Sequence, residues 1–522
     1  MNGIVVGSLA GIAAYLTLIA FIGYWAWRKN LKGDLDDQYL VSRNLNVFVL
    51  VGTLFATWFS TFAFLGGPGT FYLNGVNWLV FPLFNSLGPV LIWVFGSRMW
   101  ILGRRYGFVT PSDLLATYYD DSKRVRVAAA VVGVAVLFPY AAVQLSGISK
   151  AVASATDNVV TYETSVLLVA VSVALYSILG GSRAVVWTDT VQGFIFAALL
   201  ITTAVLTVFW AGGWSSGWAA TQAAAPEKLE YSGDTASAFF TLGLLWTFGW
   251  VLVPHLWQRM YMARSPQIMA KSMVLASGLS LWVVTFSGAI IGFLAMGIFA
   301  EIPGGFDSDA LTPLLFREFL PIGAVALVVA TFAAGMSTLD SQVLSGSSIF
   351  TLDIYRVGKP TTSESNLARV GKFFEGAFVI ALVGFTLIPA GQALLVPLAS
   401  VGVGFALCFL LPLIGALYWP RASEQAAFWS MALGFAVMVT LQLVPATLEA
   451  LPFSFGPPAW GFFACLVIFY AGSALGKPVA AEKIAMFHGV LDTAVTKRRQ
   501  LLETPASGRP TQRRDIGGYD GS

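Results

Sequence analysis

The stretch Ala56-Thr57-Trp58-Phe59-Ser60-Thr61-Phe62-Ala63-Phe64-Leu65-Gly66-Gly67-Pro68-Gly69 interrupts an apolar run that begins near Leu45. Pro68 lacks an N–H and three glycines flank it, so a helix through this run is expected to break near them. In a bilayer, irregular backbone is tolerated only where it is buried or lines a cavity. An unwound stretch there exposes carbonyl oxygens and leaves a helix N-terminus pointing into the protein. Such groups hold a small cation and an anionic substrate group. A helix end followed by a Gly-Pro turn is the plainer alternative, and the stretch alone leaves both open.

The bilayer setting follows from composition. Of 522 residues, 57% are hydrophobic and only 11% charged, against roughly a quarter charged in an average soluble domain. So few charges cannot cover a soluble protein of this length, which excludes a water-soluble enzyme and a disordered chain. The long apolar runs, with 52 Gly and 23 Pro among them, fit membrane helices; a β-barrel would alternate in polarity over segments of about ten residues. Cys408 and Cys465 sit inside apolar runs, and His255 and His488 are the only histidines. Neither a disulfide framework nor a His/Cys metal centre is therefore expected.

Taking about 20 apolar residues per span, thirteen spans are expected, with cores starting at Ile4, Leu45, Trp78, Val127, Ser165, Val185, Phe239, Met273, Ile322, Phe373, Ala393, Ala426 and Trp460. The fifth and sixth are separated only by Gly180-Gly181-Ser182-Arg183. Met1–Ala26 lacks a basic n-region and is followed by Arg28-Lys29, which reads as an uncleaved span. With thirteen spans, 27 of the 30 Lys and Arg fall on one side, and only Lys150, Lys228 and Arg317 on the other. The positive-inside rule then puts the N-terminus outside and the C-terminus in the cytoplasm of a cell bounded by the plasma (inner) membrane. The net charge of +3 is thus a topological signal and implies no nucleic-acid partner. No soluble domain is expected: the largest outside loop, Gly212–Gly233, is too short for a core. Beyond residue 480 lies a cytoplasmic tail. Ala481–Leu502 reads as a short helix on the inner membrane surface, with Lys497-Arg498-Arg499 toward anionic lipid or as a plain flank. From about Glu503 the chain is polar and expected to be disordered.

Two further interruptions stand out. Trp246-Thr247-Phe248-Gly249-Trp250-Val251-Leu252-Val253-Pro254-His255 breaks the seventh run. If runs two to six and seven to eleven are inverted repeats, it is the counterpart of the break in run two, and paired breaks point to a transporter site. In the ninth run, Ala334, Ser337, Thr338, Ser341, Ser345 and Ser348 recur at steps of three and four, forming a small, polar stripe beside Asp340. Single hydroxyls often bond back to their own helix; a stripe next to an acid at depth is a stronger signal. Asp189 is a second acid at depth, open to a cation role or to pairing with Arg183. Glu375 is a third, one turn from Lys372 and expected to snorkel to the inner surface. Hard cations want oxygen ligands; carbonyls of an unwound helix plus two hydroxyls suit sodium.

At this point the residues resemble the sodium:solute symporter family. The resemblance rests on Gly66-Gly67-Pro68-Gly69; Tyr106-Gly107 with Thr110-Pro111-Ser112-Asp113; Gly180-Gly181-Ser182-Arg183-Ala184 with Trp187-Thr188-Asp189 and Gln192-Gly193; and Met336-Ser337-Thr338 with Ser341-Gln342-Val343-Leu344, ending at Asp353-Ile354-Tyr355. It implies an all-α polytopic membrane protein of about 13 helices with a leucine-transporter-like 5+5 inverted repeat. A membrane domain would occupy residues 1–480, with repeats at about 45–210 and 237–418. It implies a secondary active transporter that imports a small organic solute with Na+ as coupling ion, and no enzyme activity. By motif, sodium would be held by the carbonyls of Ala56, Phe59 and Ala334 and the hydroxyls of Ser337 and Thr338. Substrate would meet the unwound part of the second run, around Ser60, Thr61, Phe62 and Ala63, and Trp246, Trp250 and Pro254 of the seventh. Some members bind a second sodium with an aspartate matching Asp189 and hydroxyls near Ser341; here Asp340 stands where one of those hydroxyls would be, so Asp189, Asp340 and Ser341 are the candidates for a second cation.

Trp58 stands where proline-transporting members carry an aspartate, which argues against proline. Phe64–Tyr72, Tyr162-Glu163-Thr164 and Ala174-Leu175-Tyr176 are similar to pantothenate-transporting members, and Pro139–Leu145 to monocarboxylate permeases. Both substrates are organic acids. With no Lys or Arg expected at depth, a carboxylate would rest on hydroxyls, helix N-termini or the sodium, with Tyr140 and Gln144 helping or merely packing. Rival readings are a symporter for an amino acid or sugar, a transporter-like membrane sensor, and a membrane enzyme.

Overall fold

A computed structural model describes residues 3–28, 35–58, 60–232, 236–299 and 307–494 of the chain. The described residues are nearly all helical, with one isolated bridge between Leu45 and Ala263. The principal helices, in chain order, are α1 (Gly3–Arg28), α2 (Val47–Trp58), α3 (Gly67–Asn74), α4 (Gly88–Tyr106), α5 (Pro111–Tyr118), α6 (Lys123–Ala155), α7 (Tyr162–Trp210), α8 (Ala236–Leu252) and α9 (Pro254–Met262). They continue as α10 (Pro266–Ile298), α11 (Ala324–Ile349), α12 (Glu364–Thr386), α13 (Leu395–Tyr418), α14 (Glu424–Leu443) and α15 (Pro457–Leu475).

Nine helices among the described residues are long and apolar enough to cross a membrane, ten with the bent pair α8 and α9. The difference from thirteen has local causes. Val47–Trp58 and Tyr162–Ala174 are too short alone, and Phe62–Tyr106 runs on as one helical path. In α12, Glu364, Arg369, Lys372 and Glu375 crowd the first half. The fifth and sixth expected spans form the single element α7, broken at Gly181, whose φ of 60° and ψ of −175° leave the helical region. Only glycine adopts that conformation cheaply.

Sequence signals set the helix starts. Ser122 accepts from Val125 N at the head of α6, and Thr161 accepts from Thr164 N at the head of α7. The family-like Thr110-Pro111-Ser112-Asp113 is a capping box opening α5, in which side chain and backbone satisfy each other's orphan groups. α11 is the central helix: from Ala330 to Ile349 every residue is buried, and it packs against α1, α6 and α7. Lipid offers no hydrophobic drive for this packing, so small residues and interhelical polar contacts set it. Gly193 of α7 lies against Ala56 and the Gly52 carbonyl of α2, an approach that carries Asp189 to α2.

The structure corrects two expectations. The first break does not fall at the Gly-Pro motif. α2 ends at Trp58, Ser60 is non-helical, and helix resumes at Thr61 with a π turn over Phe62–Gly66 that runs straight into α3. The motif glycines serve close approach instead: a Cβ on Gly69 would stand 2.3 Å from the Ser308 carbonyl oxygen. Glu375 does not snorkel; it is 1% exposed and faces the Ser347 hydroxyl, because its turn of α12 packs on α11. The segment starting at Ala481 is helical as expected. It also packs on protein: Phe487 is fully buried, stacked 5.9 Å from Tyr106 and edge-on to Tyr118 at 5.1 Å. Lys497-Arg498-Arg499 and the tail from Glu503 lie outside the described residues.

Candidate functional site

Two helix breaks face each other. One separates α2 from Thr61. The other is Val253, extended at φ −64° and ψ 135° between α8 and α9, where the axis bends by 47°. Pro254 occupies the first turn of α9, where its missing N–H costs nothing and its ring forbids continuation of α8.

The oxygens expected to hold sodium meet at the first break. Ser337 Oγ donates to the Ala56 carbonyl at 2.9 Å and reaches the Ala334 carbonyl at 3.1 Å. Thr338 Oγ1 lies 3.3 Å from the carbonyls of Ala56 and Thr57. Ala56, Ala334, Ser337 and Thr338 are all buried, and Phe59 lies outside the described residues. Oxygens this close have the spacing of neighbouring ligands around one hard cation, which sits about 2.3–2.6 Å from each in a comparable all-oxygen site.

The expected substrate residues fall into a polar and an aromatic group. Gln144 Oε1 accepts from the Thr61 N–H at 3.2 Å and the Thr61 hydroxyl at 2.9 Å. Gln144 Nε2 in turn donates to the Tyr140 carbonyl at 3.1 Å. Gln144 therefore ties α6 to the restart after the break. The Tyr140 hydroxyl lies 3.5 Å from the Trp58 carbonyl, and its ring lies 5.2 Å from Trp250. Phe62 lies 5.7 Å from Trp246 and 6.2 Å from Trp250, and the two tryptophans are 5.9 Å apart. Ala63 continues the π turn, its N–H bonded to the Ser60 carbonyl at 2.9 Å. Three groups that sequence reasoning missed join this cluster: Phe81, edge-on to Trp246 at 4.8 Å; Trp78, stacked on Phe81; and His255, 5.8 Å from Tyr140. The indole nitrogens of Trp246 and Trp250 and both ring nitrogens of His255 are buried and have no hydrogen-bond partner among the described residues.

The acids at depth separate. Asp189 does not pair with Arg183, which instead meets Asp37 at 2.5 Å. Asp189 Oδ2 accepts from Thr53 at 2.6 Å and from Arg259 Nη2 at 3.0 Å. Arg259 also donates to Thr53 Oγ1 at 3.0 Å and Ser341 Oγ at 2.5 Å. It is buried, so a basic group does stand at depth, contrary to expectation. In sequence it hides among the flanking basic residues, although five residues after Pro254 it sits one full turn inside α9. Asp340 is fully buried, and neither of its oxygens has a hydrogen-bond partner among the described residues.

Comparison with known proteins agrees with this architecture. The profile of the sodium:solute symporter family matches residues 38–434. The sodium/pantothenate symporter of Escherichia coli (strain K12) is 30% identical over 485 residues, covering 90% of this chain and 96% of the relative. The sodium/proline symporter of the same strain is 27% identical over 451 residues, covering 83% and 87%. A Na+-coupled sialic acid symporter, solved in a substrate-bound outward-open state, has the same fold, with a TM-score of 0.74 at 17% identity over 91% of this chain and 98% of that one. The chain belongs to the sodium:solute symporter family, as a multi-pass membrane protein of leucine-transporter-like fold that couples solute transport to sodium.

Proposed function

We propose that the protein imports a small organic carboxylate, pantothenate or a monocarboxylate, across the plasma (inner) membrane, with its N-terminus outside and its C-terminus in the cytoplasm. The observation that carries the reading is the joining of α2 and α11 at the first break, where the Ser337 and Thr338 hydroxyls meet the Ala56 carbonyl beside Ser60 and the tryptophan pair. Sodium bound by Ala56, Phe59, Ala334, Ser337 and Thr338 replaces those hydroxyl–carbonyl bonds and orders the restart at Ser60–Ala63. The solute then enters between that restart and α8, displacing Phe62 from Trp246 and Trp250. Its carboxylate meets the two indole N–H groups and His255, which have no hydrogen-bond partner among the described residues, and the N-terminus of α9, whose dipole favours an anion. Tyr140 and Ser60 receive its hydroxyl or amide. The two repeats, about 45–210 and 237–418, then rock to open inward. Each sodium crossing carries about 2.3 kcal/mol per 100 mV.

The pantothenate reading draws on the sodium/pantothenate relative. Trp58, where an acid would suit an amino-acid ammonium, speaks against proline. Purified protein in proteoliposomes, given an inward sodium gradient, is expected to accumulate radiolabelled pantothenate or lactate and to leave proline and glucose outside. Accumulation of proline or glucose alone would overturn the substrate class; sodium-dependent binding without flux would favour a membrane sensor.

A further inference from the structure

We infer that Lys150 is the outer docking point for the carboxylate of the incoming solute, and that the Asp307 carboxylate stands in the place the solute takes. The inference rests on the proposed reading of the solute as an organic acid imported past the outer end of α6. Lys150 Nζ meets Asp307 Oδ2 and Asp309 Oδ2, each at 2.9 Å. The two acids are not equivalent. Asp309 is buried, and its Oδ2 also accepts from the Leu395 N–H at 3.0 Å, which fixes it to the head of α13. Asp307 has 41% of its side chain exposed, and its other oxygen, Oδ1, accepts from the Asp309 N–H at 3.0 Å. An ion pair with so exposed a partner contributes little, so its exchange for another carboxylate costs little. Such an exchange leaves the charge and the hydrogen bonding at Lys150 as they were. An ammonium, a compact charge with three rotatable donors, accepts either carboxylate equally.

The position puts Lys150 above the first break. Gly147, one turn before it on α6, has no room for a side chain: a Cβ there would stand 2.7 Å from the Thr61 side chain and 3.2 Å from Leu395 Cδ1. Gln144, a further turn deeper, holds Thr61. At 1.5 Å per residue, Lys150 stands about 9 Å along α6 from Gln144. The segment carrying both acids rests on the helix that resumes after the break. A Cβ on Gly66 would come 3.6 Å from Asp309 Oδ1, and Thr312 Oγ1 reaches the Phe64 carbonyl at 3.4 Å. The other two basic residues expected on this side are placed elsewhere: Lys228 donates to the Tyr72 carbonyl at 3.0 Å, near the far end of α3, and Arg317 is exposed beside Asp157. The indole N–H groups and the helix N-terminus proposed for the deeper site carry only partial charges. Lys150 supplies the full positive charge that sorts acids from neutral solutes on the way in.

The test is sodium-driven uptake of radiolabelled pantothenate by the full-length protein in proteoliposomes. Its neutral competitor is pantothenol, in which a hydroxymethyl group replaces the carboxylate; lactate and lactamide form the corresponding pair where lactate is the solute accumulated. The quantity read is the preference for the acid, the inhibition constant of the neutral analogue divided by KM of the acid. Lys150→Met, which removes one charge-assisted contact, is expected to lower this preference about tenfold, and Lys150→Arg to keep it. Asp307→Asn, which removes the competing carboxylate, is expected to raise it about threefold. A contact that merely holds the outer end shut acts on both solutes alike, so it would leave the preference unchanged in both variants, and that result would overturn the inference. If Lys150→Met does not fold, Asp307→Asn decides alone: a preference unchanged or lowered overturns the inference. Failure of the carboxylate reading shows separately, in wild type, as uptake of neither acid. That outcome overturns the proposed function and the inference together, whereas acid uptake by wild type with an unmoved preference in the variants overturns the inference alone.

Discussion

At the scale of single residues, the sodium site and the acids make different demands. Ser337 and Thr338 each offer a hydroxyl that serves the carbonyls of α2 when no ion is bound. Ser337→Ala and Thr338→Ala should each raise the sodium concentration for half-maximal uptake. The cost of a lost ion ligand exceeds the ~0.6 kcal/mol of an average interhelical hydrogen bond, so the shift should be more than about threefold. Wild-type sodium dependence in both would misplace the site. Asp340 makes no hydrogen bond among the described residues, and Asp189 keeps one buried oxygen, Oδ1, without a partner among them. Trp246 and Trp250 pack on Phe62 across the gap between the breaks. Replacing either with Ala should weaken solute binding about tenfold or more while sodium-only thermal stabilisation persists, as calorimetry at saturating sodium would report. The hydroxyl stripe, the tryptophan pair and the acids were legible in sequence, because polar groups in long apolar runs stand out. Arg259 was not: a basic residue near the end of an apolar run looks like a membrane flank until the bend at Val253 is known.

At the scale of elements, the sequence marked where helices are interrupted without stating how. Gly66-Gly67-Pro68-Gly69 reads as an unwinding signal, since proline and glycine both weaken helices. In the fold, Pro68 follows directly on a π turn inside a helix that has already resumed at Thr61, and the wider π turn accommodates its ring and missing N–H. The actual break sits eight residues earlier, at Ser60, in a stretch without Gly or Pro. Tertiary contacts hold it there: Gln144 takes the first N–H and the hydroxyl of Thr61. Partners from a distant helix leave no local mark, so the Gly-Pro motif misplaces the break, while the family resemblance, which puts the unwound part around Ser60–Ala63, agrees with the fold. The second break was legible, because Pro254 forces it. Two substitutions separate the roles of the motif. Gly69→Ala drives a Cβ against the Ser308 backbone, 2.3 Å from its carbonyl oxygen; such overpacking typically costs about 1–3 kcal/mol and should lower the thermal midpoint visibly. Pro68→Ala, which only restores an N–H in an otherwise helical turn, should change stability by less than about 1 kcal/mol. Equal losses in both would return the motif to its role as a break.

At the scale of the molecule, α6 is a strut latched at both ends. Its 33 residues span about 50 Å at 1.5 Å per residue. Near its start, Arg126 Nη1 meets Asp113 and Asp353, each at 2.7 Å, joining α5 and the segment after α11. Near its end, Lys150 Nζ meets Asp307 and Asp309, each at 2.9 Å. Asp309 in turn accepts from the Leu395 N–H at the head of α13, and Ser308 beside it rests on Gly69. The charge pattern in sequence placed Lys150 and Arg126 on opposite sides, yet their partners, between 13 and 227 residues away, emerged only from the fold. Alternating access requires the two ends to open in turn, so each latch should report on one end. Both clusters are partly shielded from water, where an ion pair contributes more than its exposed counterpart. Lys150→Met is expected to raise hydrogen–deuterium exchange at Ser308–Ala310 and in the first turn of α13, leaving α5 as in wild type. Asp353→Asn should do the reverse, loosening α5 and sparing the loop at Ser308. The measurement uses the full chain in nanodiscs at saturating sodium. If either variant raises exchange at both ends alike, the clusters staple the fold as a whole and do not act as separate latches.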